Sequence, residues 1–365
     1  MNRKINLDIR KEEVSLRETD PSKLIVEALQ SLKDERMQCV LDKRFNVLGN
    51  GVETLESIGK SLGVTRERVR QIEKTALEKL REKERFEVLR PLINNIEKAL
   101  EVSGKMATKE RLFRLVFGKE DSSSKHYASL ILALEVGPIF FKSKKKGNLD
   151  DHWFLKGAKK ENLKKITQVT ENIFEEARRP LKEEILLSKI QKISYFKGKD
   201  CLSKDALVSY LDICLKFDQN PFGEWGLIAW QEIRPRGIRG KAYLVVRREG
   251  KPLHFKEIAK LINRAGFDDK KAYFQTVHNE LIKDFRFVLV GRGTYALKEW
   301  GFQPGFTKDI IINVLKKAQK PLSKEEILKR VLKQRLVQKN TIILNLQGTK
   351  RIIETSDSKY RLARD

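Results

Sequence analysis

The chain has 365 residues, 35% charged and 40% hydrophobic, with 76 lysines and arginines against 50 aspartates and glutamates. That length supports several cores, roughly two to three domains by length alone. The net charge of +26 points to a polyanionic partner, nucleic acid first and an anionic membrane surface a distant second.

Other classes are excluded by what the residues lack. The cysteines (Cys39, Cys201, Cys214) and histidines (His126, His152, His254, His278) are scattered, without the two short-spaced pairs of a metal site. Reduced thiols in a cytosolic protein are expected. Met1 to Asp20 alternates charge and has no apolar core of a secretion signal. The longest apolar run, Ala128 to Phe141, contains Glu135, Gly137 and Pro138 and is too short to span a bilayer. No phosphate-cradling glycine loop follows a strand, and no Ser/His/Asp or Cys/His set has usable spacing, so neither an enzyme nor a cofactor is expected.

In chain order, residues 1–22 read as a tail closed by Pro21. Ser22 is placed to cap a helix carrying Leu24, Ile25, Ala28, Leu29 and Leu32, and a second helix carries Met37, Val40, Leu41 and Phe45. Asn46 to Gly51 is a turn. Thr54 to Arg81 then reads as a helix-turn-helix. Thr54 caps the first helix, whose packing stripe is Leu55, Ile58 and Leu62. Gly63 stands where a helix end needs a left-handed residue, Gly59 allows a close crossing, and Val64 fills the corner. Thr65 caps the second helix, in which Val69, Ile72, Ala76 and Leu80 form a dry stripe. Arg66, Glu67, Arg70, Gln71 and Lys74 fall on the other face, which is wet or on a ligand.

This stretch resembles region 4 of bacterial primary-type sigma factors, and its V-T-R-E-R-V-R-Q-I-E run is nearly that family's recognition helix letter for letter. With Glu35-Arg36 and Lys43-Arg44-Phe45 the likeness covers roughly residues 23–86. It implies that Arg66, Glu67, Arg70 and Gln71 approach base edges of an upstream, minus-thirty-five promoter hexamer. It also implies backbone contacts from Thr65, Arg68 and Lys74, and a phosphate contact from Arg44. The side chains suit such contacts, since arginine forks onto guanine, glutamine onto adenine, and glutamate accepts from cytosine.

Beyond Phe86 a weak repeat appears. Pro-Leu after a basic residue, followed by a short acidic-capped helix, recurs at Pro180, Pro252 and Pro321, in steps of 72 and 69 residues, with a looser copy at Met106-Ala107. Each copy closes on an aromatic in a strand-like run, at Trp153, Trp225, Tyr295 and Tyr360, spaced 72, 70 and 65 residues apart. Two markers with one period argue for four modules. Three helices and a β-hairpin per module make a winged helix. The closing aromatics are expected in the core. The third module resembles the HARE-type winged helix, found in the delta subunit of bacterial RNA polymerase and in eukaryotic chromatin proteins. Its likeness rests on Gly250 to Ile258 and Phe285 to Leu297. Lys144, Lys145 and Lys146, with Lys142, occupy the hairpin turn of the first module, where they lie on phosphates or face solvent. Arg234 to Lys241 reads as a basic linker or a minor-groove arm.

The expected fold is mostly α, a helix-turn-helix followed by a string of small winged helices. Its expected parts are a tail (1–22), the sigma-like domain (23–86), modules at 87–158 and 159–232, the HARE-type module (233–301) and a last module (302–365). Residues 22–86 carry 14 basic and 11 acidic groups and residues 87–365 carry 57 and 34, so most of the field lies outside the sigma-like part. The expected function is a DNA-binding transcription protein that reads a promoter-like duplex and modulates initiation by RNA polymerase. It would be cytoplasmic and nucleoid-associated in a bacterium, with no membrane partner. No promoter-melting region is recognisable. The alternative is a polymerase accessory or scaffold subunit that holds nucleic acid nonspecifically.

Overall fold

Proline lacks an N–H and has a fixed φ, both suited to the first turn of a helix. Pro21 accordingly opens α1 (Pro21–Gln30) in the computed structural model, which describes residues 20–118, 124–193 and 203–363. The cap is Asp20, whose carboxylate accepts from the Ser22 N–H at 2.9 Å, two residues before the serine expected from sequence. Residues 1–19 of the expected tail, and Cys201, lie outside the described residues.

Helices α2 (Glu35–Phe45), α3 (Leu55–Leu62) and α4 (Arg66–Leu80) follow. Asn46 ends α2 at φ 58°, a left-handed conformation that asparagine tolerates better than most side chains, and its Oδ1 accepts from Gly51 N–H at 2.6 Å. After α5 (Lys83–Val102) come β1 (Met106–Ala107), α6 (Lys109–Phe117), α7 (Ser124–Val136), β2 (Phe140–Ser143) and β3 (His152–Leu155). The next stretch holds α8 (Lys160–Ala177), β4 (Leu181–Lys182), α9 (Glu183–Gln191), α10 (Lys204–Ile213), β5 (Phe217–Gln219) and β6 (Glu224–Leu227). By contacts the chain divides into two units, 1–218 and 219–365.

The first unit departs from beads on a string. Ala76 and Leu80 of α4 share one core with Ile25 of α1, Leu41 of α2, Leu89 to Leu100 of α5, Leu130 to Val136 of α7, and Trp153 and Leu155 of β3. Helix α7 is dry nearly all round, with Ala128, Leu130, Leu132, Ala133, Leu134 and Val136 buried, and it packs on α1, α2 and α4. The charged run at Arg81–Arg85 is a joint between the sigma-like part and the module after it. Arg81 donates from Nε and Nη2 to the carbonyls of Val136 and Glu135 at 3.0 and 2.6 Å, closing the C-terminus of α7, and Arg85 pairs with Glu82.

Helix α10 repeats the arrangement one step on. Tyr210 Oη donates to Gly104 O at 2.8 Å and Ser209 Oγ to Met106 O at 2.6 Å. Arg111 meets Asp205 at 2.8 Å, and Arg114 meets Asp212 at 3.2 Å. Burial pushes the Asp212 carboxyl up to about 6, against the pull of Arg114 and Arg111.

In the second unit, α11 (Gly237–Glu249), β7 (Leu253–His254), α12 (Phe255–Ala265), α13 (Phe274–Lys283), β8 (Phe287–Gly291) and β9 (Thr294–Leu297) enclose one core. A second core is enclosed by α14 (Thr307–Ala318), β10 (Leu322–Ser323), α15 (Lys324–Leu332), α16 (Lys339–Gly348), β11 (Ile352–Glu354) and β12 (Lys359–Leu362). Sheet orders β1-β3-β2, β7-β9-β8 and β10-β12-β11 share one logic. The short strand that leads into a capped helix pairs antiparallel with the strand bearing the closing aromatic, as in Leu253 with Tyr295 and Leu322 with Tyr360. Trp153, Trp225, Tyr295 and Tyr360 are all buried, so these aromatics are core. The basic segment before β7 is no free linker. Gly237 to Lys241 is the first turn of α11, with Arg239 on Glu280 and the buried Lys241 on Asp268, both at 2.5 Å.

The shared core should make the sigma-like part and the first winged module unfold together. Leu130→Ala should cost about 2–5 kcal/mol and lower the stability of both, in one denaturant transition seen by probes in each. A pH effect is expected from Asp212. Its folded pKa lies above the unfolded value near 3.8, so its contribution is fully present below that value and is lost as pH rises through about 6. Asp212→Asn should therefore flatten the rise in melting temperature between pH 7 and pH 4.5 and stabilise the protein at pH 7 by at most about 3 kcal/mol.

Candidate nucleic-acid interface

The helix pair α3–α4 is set by its caps and its close crossing. Thr54 Oγ1 accepts from Ser57 N–H and Thr65 Oγ1 from Arg68 N–H, each at 3.2 Å. Gly63 ends α3 at φ 66°. A Cβ on the buried Gly59 would stand 2.7 Å from the Val64 carbonyl oxygen, so only glycine lets the turn fold back here. Val40, Ile58 and Val69, with Leu55, Leu62, Val64 and Ile72 around them, form a small core under the turn. The buried stripe of α4 thus serves two cores, Val69 in this one and Ala76 and Leu80 in the larger one.

The opposite face is open. Arg66, Glu67, Arg68, Arg70, Gln71 and Lys74 are all exposed. They are not idle in the free protein. Arg70 forks onto Glu67, with Nη2 at 2.6 Å and Nε at 2.9 Å, and this contact holds the Glu67 carboxyl below the usual carboxylate range. Arg68 Nη1 donates to Gln71 Oε1 at 3.1 Å. Two of the expected base readers are thus partners of each other and a third holds a backbone reader. A duplex would have to exchange these exposed contacts, which are worth little in water.

Arg44 stands elsewhere. It is half-buried, with Nε 3.2 Å from Glu73 and Nη1 donating to the Glu53 carbonyl at 3.0 Å, so it ties α2 to α4 and to the loop before α3. Only its remaining donors could meet a phosphate. The Thr65 hydroxyl is likewise engaged as a cap. Sequence reasoning missed Glu73 and Glu53. Glu73 lies four residues after Val69 and three before Ala76, beside the dry stripe of α4, and that spacing could have marked it as an inward partner.

Lys144, Lys145 and Lys146 are exposed or nearly so at the turn between β2 and β3. Lys142 sits 5.3 Å over the Trp153 ring and 3.8 Å from Glu135, apart from them in role. The rear of the turn is fixed: Asp150 N–H donates to Ile213 O at 2.9 Å and Leu215 N–H to Asn148 O at 2.8 Å. The wing and α4 belong to the same unit and are joined through the same core.

Among the described residues no group of three or more His, Cys, Asp or Glu could hold a metal ion, and no helix is long and apolar enough to cross a membrane. A capped helix pair on its own core with a charged outer face defines a helix-turn-helix of the DNA-binding kind. Comparison makes this particular. Residues 27–82 match the sigma-70, region 4 family, and residues 238–300 match the HARE-HTH family, a helix-turn-helix domain that takes its name in part from ASXL and restriction endonucleases. The chain therefore carries a sigma-70 region 4 domain and a HARE-HTH domain. It is 46% identical over 66 residues to the RNA polymerase sigma factor RpoD of two Helicobacter pylori strains, which is 18% of this chain. The chain covers only about a tenth of those relatives' length, 10% in each case. Both matched domains are helix-turn-helix domains and point to DNA binding.

Replacing Gly59 by alanine should destabilise the helix pair by about 1–3 kcal/mol, because backbone rather than a flexible side chain stands in the way. Thermal unfolding monitored on this domain checks it, and an unchanged midpoint would refute the close-crossing account.

Proposed function

We propose that this protein reads a promoter-like upstream element through α4 and modulates initiation by RNA polymerase. The observation that carries the reading is the exposed face of α4, where Arg66, Glu67, Arg70 and Gln71 stand together above a buried core. On this reading Arg66 and Arg70 fork onto guanine, Gln71 onto adenine, and Glu67 accepts from cytosine. Thr65, Arg68 and Lys74, and the lysines of the first wing, hold the phosphate backbone, and Arg44 adds to this with the donors that Glu73 leaves over. The likeness to region 4 of RpoD supports the choice of a minus-thirty-five-like hexamer and of RNA polymerase core as partner. Such a protein works in the cytoplasm, on the nucleoid.

A second reading has its own support. Outside residues 1–86 the chain carries 57 basic and 34 acidic groups, and α7 and α10 are buried as scaffold. An accessory subunit that grips nucleic acid nonspecifically would look like that.

Titration of a hexamer duplex and a scrambled duplex across a salt series separates the two. Sequence reading predicts a specificity ratio that Arg70→Ala or Gln71→Ala collapses, at about 1–3 kcal/mol each. Equal affinities for both duplexes, with a steep salt slope insensitive to α4, would favour the scaffold.

A further inference from the structure

A winged helix meets DNA with its third helix, and the four modules differ in whether that helix is free. Helices α7 and α10 are not, since each is buried in the first unit. Helix α16 has an exposed outer face, but its wing turn carries Asp357, an acidic group where a duplex backbone calls for a cation. Helix α13, in the HARE-HTH domain, has what the others lack. Gln275 and Asn279 are exposed one turn apart on one face, and neither amide has a partner among the described residues. Four residues of helix rise about 6 Å, close to two base-pair steps. Ile282 projects from the same face at 63% exposure.

The surroundings are basic, with Arg335 of the last module donating to the Leu289 carbonyl at 3.3 Å on the strand before the wing turn. Residues 238–300 hold 14 lysines and arginines against seven acidic residues. Lys256 and Lys271 are exposed beside the start of α13, over the Phe274 and Tyr273 rings at 5.7 and 5.9 Å, and no carboxylate pairs with either among the described residues. The wing turn is Gly291-Arg292-Gly293. Gly293 adopts φ 63°, Gly291 pairs with Thr294, and the exposed Arg292 side chain has no acidic partner among the described residues.

We propose that α13 is a second DNA-reading helix, selective for A·T-rich duplex. Gln275 and Asn279 each present the amide fork that matches adenine N6 and N7 in the major groove, and Ile282 meets a thymine methyl. Arg292 enters the neighbouring minor groove, whose narrow A·T form attracts arginine between small residues. Lys256 and Lys271 take phosphates. The site shares no residue with α4, and it stands or falls independently of the promoter reading.

The test uses the full chain and short duplexes without the hexamer, either A·T-rich or G·C-rich, with affinity read by fluorescence anisotropy. Wild type should favour the A·T-rich duplex by about tenfold or more. Gln275→Ala and Asn279→Ala should each weaken A·T binding by roughly tenfold and leave G·C binding alone. Replacing adenine by 7-deazaadenine, which lacks the N7 acceptor, should reduce the preference in wild type to what Arg292 alone supplies. Arg292→Ala should weaken A·T binding further, whereas Arg70→Ala should leave the preference intact. All three α13 and wing positions are exposed, so loss of folding does not confuse the result. No A·T preference, or a preference undiminished in Gln275→Ala/Asn279→Ala, overturns the proposal. So does a face indifferent to every duplex that instead binds an acidic protein.

Discussion

Helix α4 must be dry on one side and wet on the other, and the rest of the first unit follows from how its dry side is covered. Val69 goes to the small core under the turn, while Ala76 and Leu80 go to a core that α5 and α7 complete. A domain of some 60 residues is marginal on its own because it buries too little of its surface. Here the first winged module supplies the missing apolar surface in cis, and Arg81 locks the two together through the last carbonyls of α7.

That solution has a consequence for the winged modules. A third helix that serves as core cannot enter a groove, and this holds for α7 and for α10 behind it. In the first unit α4 and the lysine wing keep their charged faces exposed. The pairs Glu67–Arg70 and Arg68–Gln71 keep those charges ordered until a ligand replaces them. Glu73 and Glu53 keep Arg44 turned inward, so the charged outer face of the helix sits on a braced support.

Much of this is legible in the sequence. Caps at Thr54 and Thr65, the glycines at 59 and 63 and the apolar stripe of α4 are local signals, and the helix pair obeys them. The module repeat is legible too, because a Pro-Leu strand and a closing aromatic must meet in one sheet. What stays hidden is non-local. The run from Ala128 to Phe141 reads in sequence only as too short for a membrane span, although a helix apolar all round is a helix buried on all sides. Arg234 to Lys241 looks like a linker by composition, yet ion pairs to Glu280 and Asp268, about 30 to 40 residues away, fold its second half into α11. No local pattern announces such partners.

Whether Arg70 meets a guanine decides the most, and interference by methylation at guanine N7 tests that contact directly. Methylating one guanine of the bound element should block the wild-type protein and make no difference to the residual binding of Arg70→Ala. If the interference pattern is the same for both proteins, Arg70 does not touch that base and α4 is not the reading helix.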